Sequence, residues 1–211
     1  MQPGPTLIKK CPHCLKLIKQ DTTGSGNTFG ATYWTDGKIE APVLPEHFEL
    51  VLCSHCEEPI WIDELDVIAK IDRSTLVADD FKEADYCTEP FFGQYIKIIE
   101  SQKLNFEKEK YIRIRSWWDK NDRRRRAPPV SPQEAANLEA LADMLGEVDA
   151  QDLIMKAELM RELGRYSEAL LLLNKIKDDN FLESVEIIKI LCEIRDPFVR
   201  DFEFLKKWTK L

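Results

Sequence analysis

Between residues 7 and about 65 the apolar positions come in short runs of β type. Thr28-Phe29-Gly30-Ala31-Thr32-Tyr33-Trp34-Thr35 is rich in β-branched and aromatic residues, Asp36-Gly37 is a hairpin-turn dipeptide, and Lys38-Ile39-Glu40-Ala41 returns. Phe48-Glu49-Leu50-Val51-Leu52 and Pro59-Ile60-Trp61-Ile62 read as two more short strands. From about residue 66 the spacing turns helical. A helix is expected near Thr88, capped by its hydroxyl, with Phe91, Tyr95, Ile98 and Ile99 on one face; the next carries Leu104, Tyr111, Ile114 and Trp118.

Ala127-Pro128-Pro129 marks a linker, because consecutive prolines cannot continue a helix. Ser131-Pro132-Gln133-Glu134 then has the features of a capping box with proline at the first helical position, predicting a helix over 132–145 closed by Gly146. Asp149 can cap the next helix, which runs to Leu163 and Gly164; others are expected at about 167–177, 181–194 and 198–208. The predicted fold class is therefore α+β: an N-terminal β unit with a hairpin insertion over 1–65, a helical middle segment over 66–126 and an all-α region over 127–211.

Charge divides along the same lines. From Cys53 to Glu100 there are twelve acidic and four basic side chains, and from 103 to 126 ten basic and four acidic. The whole chain carries −8, which argues against a surface that broadly attracts nucleic acid or anionic lipid. Any such role must be local, and Arg113, Arg115 and Arg123 to Arg126, with the hairpin aromatics Tyr33 and Trp34, are its candidates. The rival reading packs Trp118 in the core and sets the arginines against the acidic 53–100 region. No apolar run approaches the roughly 20 residues of a membrane span and no signal-peptide stretch precedes Lys9-Lys10, so a cytoplasmic protein without a membrane partner is expected.

The chemistry lies in two pairs, Cys11-Pro12-His13-Cys14 and Cys53-Ser54-His55-Cys56. Two residues between cysteines let one tight turn aim both sulfurs at one ion, and four soft thiolates suit tetrahedral zinc. Cys11, Cys14, Cys53 and Cys56 are thus the expected ligands of one structural zinc. The 38-residue gap between the pairs adds little cost, because loop closure grows by only about 0.6 kcal/mol per doubling of length. His13 and His55 sit inside the turns, but four cysteines already complete the shell. Cys87 and Cys192 are expected to be small buried hydrophobes. Redox use of Cys-Pro-His-Cys requires its first cysteine at a helix N-terminus, and Thr23-Gly24-Ser25-Gly26-Asn27-Thr28 lacks the lysine of a phosphate loop. His47 has no partner that sequence identifies, so no catalytic constellation is assigned and an enzyme is not the favoured reading.

The cysteine region resembles zinc ribbons of the rubredoxin-knuckle type, although Leu15 and Glu57 stand where that family commonly has glycine. The segment Leu153 to Phe181 resembles a tetratricopeptide repeat through Ala157, Gly164, Tyr166 and Ala169, with Lys156 and Ile176 departing from its pattern. As a whole the chain resembles bacterial-type proteins that join a zinc ribbon to such a helical region. The resemblance implies a zinc-binding interaction or scaffold protein with a protein partner; the alternative is a nucleic-acid-binding ribbon using the 113–126 segment.

Overall fold

The computed structural model describes residues 1–72, 81–124 and 131–203. Strands β1 (Gln2–Lys10) and β2 (Leu17–Ser25) form an antiparallel hairpin around the first cysteine pair, with Leu7 opposite Gln20 and Lys10 opposite Leu17. Neither strand is signalled by apolar alternation. Ile8 and Ile18 are fully buried and Lys9 nearly so, while most other positions of the two strands are half-buried or exposed, so the pairing rests on the backbone ladder and a few anchors. β7 (Ala69–Ile71) adds antiparallel to β1, and β8 (Asp85–Tyr86) adds parallel to β2.

The expected hairpin is shorter than its sequence suggests. β3 (Thr32–Tyr33) and β4 (Ile39–Glu40) flank the turn, Gly37 takes the left-handed conformation at φ 79°, and Trp34 and Lys38 close it by a 3.0 Å bond. β5 (Leu50–Leu52) and β6 (Pro59–Trp61) form the second cysteine hairpin, in which Leu52 lies opposite Pro59.

Helix α1 (Phe92–Ser101) begins later than expected. Thr88 is instead bonded to Leu52 through both backbone groups, and the Gln94 side chain accepts from the Phe91 amide at the start of the helix. α2 (Phe106–Arg124) follows. At α3 (Pro132–Met144) both halves of the capping box form: the Glu134 amide donates to the Ser131 hydroxyl and the Ser131 amide to the Glu134 carboxylate. Asp149 caps α4 (Ala150–Glu162) as expected, accepting from Gln151 and Asp152. Gly164, at φ 75°, turns the chain into α5 (Tyr166–Leu173), and α6 (Leu182–Glu193) precedes Pro197. The molecule is thus mixed α+β, with strands first and six helices after them among the described residues. Of the expected terminal helix, Phe198 to Asp201 are not helical and residues beyond 203 lie outside the described set.

Two units emerge from the packing: residues 1–31 with 40–94, and residues 32–39 with 95–211. The first is centred on Cys11, Ile18, Val51, Cys53, Ile60 and Ile62. The second is built on α2 to α6, where Trp117, Leu141, Ala157, Leu159, Ala169, Leu173 and Ile188 are almost wholly buried. Ala157 and Ala169 have no exposed surface, which lets α4 and α5 approach closely.

The tip 32–39 belongs to the second unit although it is encoded between the cysteine pairs. Asp36 has no solvent exposure: its carboxylate accepts from Asn121 Nδ2 at 2.9 Å and from the Lys38 amide at 3.1 Å, and its carbonyl accepts from Trp118 Nε1 at 3.0 Å. Lys38 reaches Asp122 at 2.5 Å, and Thr35 exchanges bonds with Arg200. Nearby, Glu162 accepts from Trp117 Nε1 and Asn121, and the fully buried Arg161 is held by Glu158. Each buried polar group named here has a partner, as low dielectric demands.

Candidate metal centre

Each cysteine pair occupies the bend of an antiparallel hairpin, and the two bends repeat one another. Cys11 donates its amide to the Lys16 carbonyl at 2.9 Å and Cys53 to Glu58 at 3.0 Å; the Leu15 amide returns to Cys11 and the Glu57 amide to Cys53. Such a bend needs a left-handed residue directly after each pair. Leu15 and Glu57 take that conformation, at φ 63° and 60°, where glycine would be unstrained. The departure from the glycine pattern therefore leaves the bend intact and costs backbone strain instead.

The four sulfurs lie within 4.8 Å of one another. Cys11 Sγ is 3.8 Å from Cys56 Sγ, and Cys14 Sγ is 3.8 Å from Cys53 Sγ, so the first cysteine of each pair faces the second of the other. A regular tetrahedron with metal–sulfur bonds of about 2.3 Å has edges of about 3.8 Å. The group can hold a metal ion. All six cysteines are free thiols, and Cys11 and Cys53 are buried whereas Cys14 and Cys56 are partly open.

Backbone amides serve the sulfurs as well. His13 and His55 direct their amides at Cys11 and Cys53, each at 3.4 Å. The Lys16 amide, aided by the neighbouring thiols, brings Cys14 down to about 7 against burial. The Glu58 amide pulls Cys56 the same way, but burial and the other three thiols push it up to about 12. Burial also raises Cys11. A divalent cation among the four sulfurs would favour their deprotonated form.

The histidine rings are not aimed at the sulfurs. His13 Nε2 is 3.3 Å from the Pro59 carbonyl oxygen and His55 Nε2 is 3.1 Å from that of Leu17. His47 has a partner that sequence did not reveal, Asp63, at 2.6 Å. Burial opposes charge on Asp63, but bonds from Gln20 and His47 outweigh it and hold its carboxyl below the usual range. No sequence signal links 47 to 63, since they meet only when β5 and β6 pair. Cys11 follows a strand and opens no helix, and residues 21–25 continue β2, so neither the redox nor the phosphate-loop arrangement is present. Cys192 is buried as expected, whereas Cys87 is only partly buried against the cysteine core; burial pushes each thiol up to about 11.

The basic segment is largely engaged within the helical unit. Arg113 bonds Glu109 and Asn137, Lys110 pairs with Asp152, Lys120 with Glu134, and Arg123 with Asp119. Arg115 is buried and stacks 5.5 Å from the Trp118 ring. The partners belong to α2, α3 and α4 rather than to the acidic 53–100 stretch, and Trp117 is the more deeply buried tryptophan. Arg125 and Arg126 lie outside the described residues. Among the described residues no helix is long and apolar enough to cross a membrane. No protein-family model, curated protein or solved structure matches this chain.

Proposed function

We propose that this is a zinc-binding protein whose metal builds the N-terminal fold and whose helical unit engages a protein partner. The carrying observation is the reciprocal 3.8 Å sulfur spacing, which suits one tetrathiolate zinc held by Cys11, Cys14, Cys53 and Cys56. With four protein ligands there is no open position for substrate, so the role of the metal is structural: it would supply folding free energy to a unit with a small apolar core. Reduced thiolates of this kind favour a reducing compartment, the cytoplasm. The engagement of the α2 cations by neighbouring carboxylates favours an interaction role over nucleic-acid binding.

Elemental analysis of the purified protein should give one zinc per chain. Cobalt substitution should produce the absorption of a tetrahedral tetrathiolate, and a strong chelator should unfold the N-terminal unit. Iron in place of zinc, which the same donor set also accepts, would colour the protein and change the metal assignment. Absence of any metal, with the N-terminal unit stable in chelator, overturns the reading.

A further inference from the structure

We infer that the groove between α3, α4 and α5 is a docking site for a short basic and aliphatic peptide segment of a partner protein; this rests on the interaction reading above and gives it a surface. The groove encloses about 550 Å³, within the range of roughly 300–1,000 Å³ typical of ligand pockets. Ala142, Met160 and Leu172 line it, and Leu171, 66% exposed, stands beside them as an uncovered aliphatic contact.

The charges select the occupant. All three cations of the groove are closed by its own carboxylates: Arg165 lies 2.5 Å from Glu139, and Lys156 and Lys175 both bind Glu147, at 3.0 and 2.6 Å. Two lining carboxylates, Asp143 and Glu168, are exposed and have no partner among the described residues. An acidic or phosphorylated ligand would have to break the Glu147 bridge and face these two charges. A lysine or arginine meets them directly while a neighbouring aliphatic side chain covers Leu171. The chain's −8 charge draws in the same class of partner. Between Arg165 and Lys175 the groove follows the eight residues of α5, about 12 Å, the reach of some three to four extended residues. That length suits a linear segment.

The test uses the full, metal-loaded chain and a fluorescent peptide of about eight residues alternating arginine and leucine, with a glutamate–leucine peptide as control. The arginine peptide should bind and the control should not. The double change D143N/E168Q should weaken binding roughly three- to tenfold, as expected for two exposed charge pairs. Leu171→Ser should weaken it further, and Asp179→Asn, outside the groove, should leave it unchanged. Circular dichroism verifies that each variant is folded. No binding up to about 1 mM, equal binding of both peptides, or undiminished binding by the double variant overturns the assignment. A native partner retained equally by wild type and by the D143N/E168Q/L171S variant also overturns the groove but leaves the interaction reading standing. Peptide binding with no cellular protein partner counts against the broader reading alone.

Discussion

His55 Nε2 lies 3.1 Å from the carbonyl oxygen of Leu17, the residue six places after Cys11, and so ties the second cysteine bend to the strand leaving the first. His13 makes the mirror contact with Pro59, six places after Cys53, at 3.3 Å. The histidine that each Cys-x-His-Cys turn carries is therefore a strap across the two bends. His55 Nε2 contacts a carbonyl oxygen, which accepts only, so a neutral ring must carry its proton at Nε2 to make this bond.

Replacing His55 by alanine should lower metal affinity by roughly tenfold, the lower end of the effect usual for groups that orient metal ligands. Stoichiometry and the cobalt spectrum should not change, because the ligand set is intact. Competition against a chromophoric chelator measures the affinity. His13→Ala should have a smaller effect, since its contact is longer and more exposed. A changed cobalt spectrum in either variant would mean that histidine ligates the metal.

Leu15→Gly and Glu57→Gly should each stabilise the metal-loaded N-terminal unit by about 0.5–1 kcal/mol. Relief of the left-handed strain at φ 63° and 60° exceeds the added freedom of glycine in the unfolded chain. Denaturant unfolding in excess zinc reads the change. A β-branched residue at either position should act in the opposite sense, and glycine variants that lose stability would contradict the bend described above.

Asp36→Ala should destabilise the helical unit by about 2–3 kcal/mol, since it removes a buried carboxylate that satisfies Asn121 and the Lys38 amide. Metal content should match that of the wild type. Thermal unfolding followed at the tryptophans, with elemental analysis alongside, checks both expectations. An unchanged midpoint would show that the 32–39 tip does not contribute to helical packing.

Glu147 gives a pH signature. Hydrogen bonds and charge from Lys175 and Lys156 hold its carboxyl down at about 2, below the ordinary 4.5. Because the folded-state value is depressed, its contribution to stability is complete above about 4.5 and is lost as pH falls toward about 2. Lys175→Ala and Lys156→Ala should each move the titration upward, with the double variant approaching the ordinary value. Carboxyl-carbon NMR of Glu147 follows the titration, and an unmoved midpoint would contradict the bridge.

The buried pair Arg161–Glu158 offers a sharper energetic test. Arg161→Met alone should cost about 3–5 kcal/mol by leaving Glu158 charged and uncompensated, whereas adding Glu158→Leu should recover much of that loss. Denaturant unfolding of the two variants decides it. Equal losses in the single and double variants would place the energy in packing rather than in the ion pair.

Much of this was legible in the chain because its causes are local. A cysteine turn, a capping box at Ser131 and Glu134, an Asp149 cap and a left-handed glycine at 164 each depend on a few consecutive residues, and the structure has them where the sequence puts them. The α+β class followed from the same periodicities. The strands flanking the first pair were less visible, because a mostly polar run becomes a strand only when its ladder partner is supplied. That Asp36 is a buried anchor of the helical unit, that His47 meets Asp63, and that two exposed carboxylates stand beside Leu171 were decided by tertiary structure alone. Residues far apart in sequence meet only after the chain has folded, and the burial and charge neutralisation that give these groups their character exist only there.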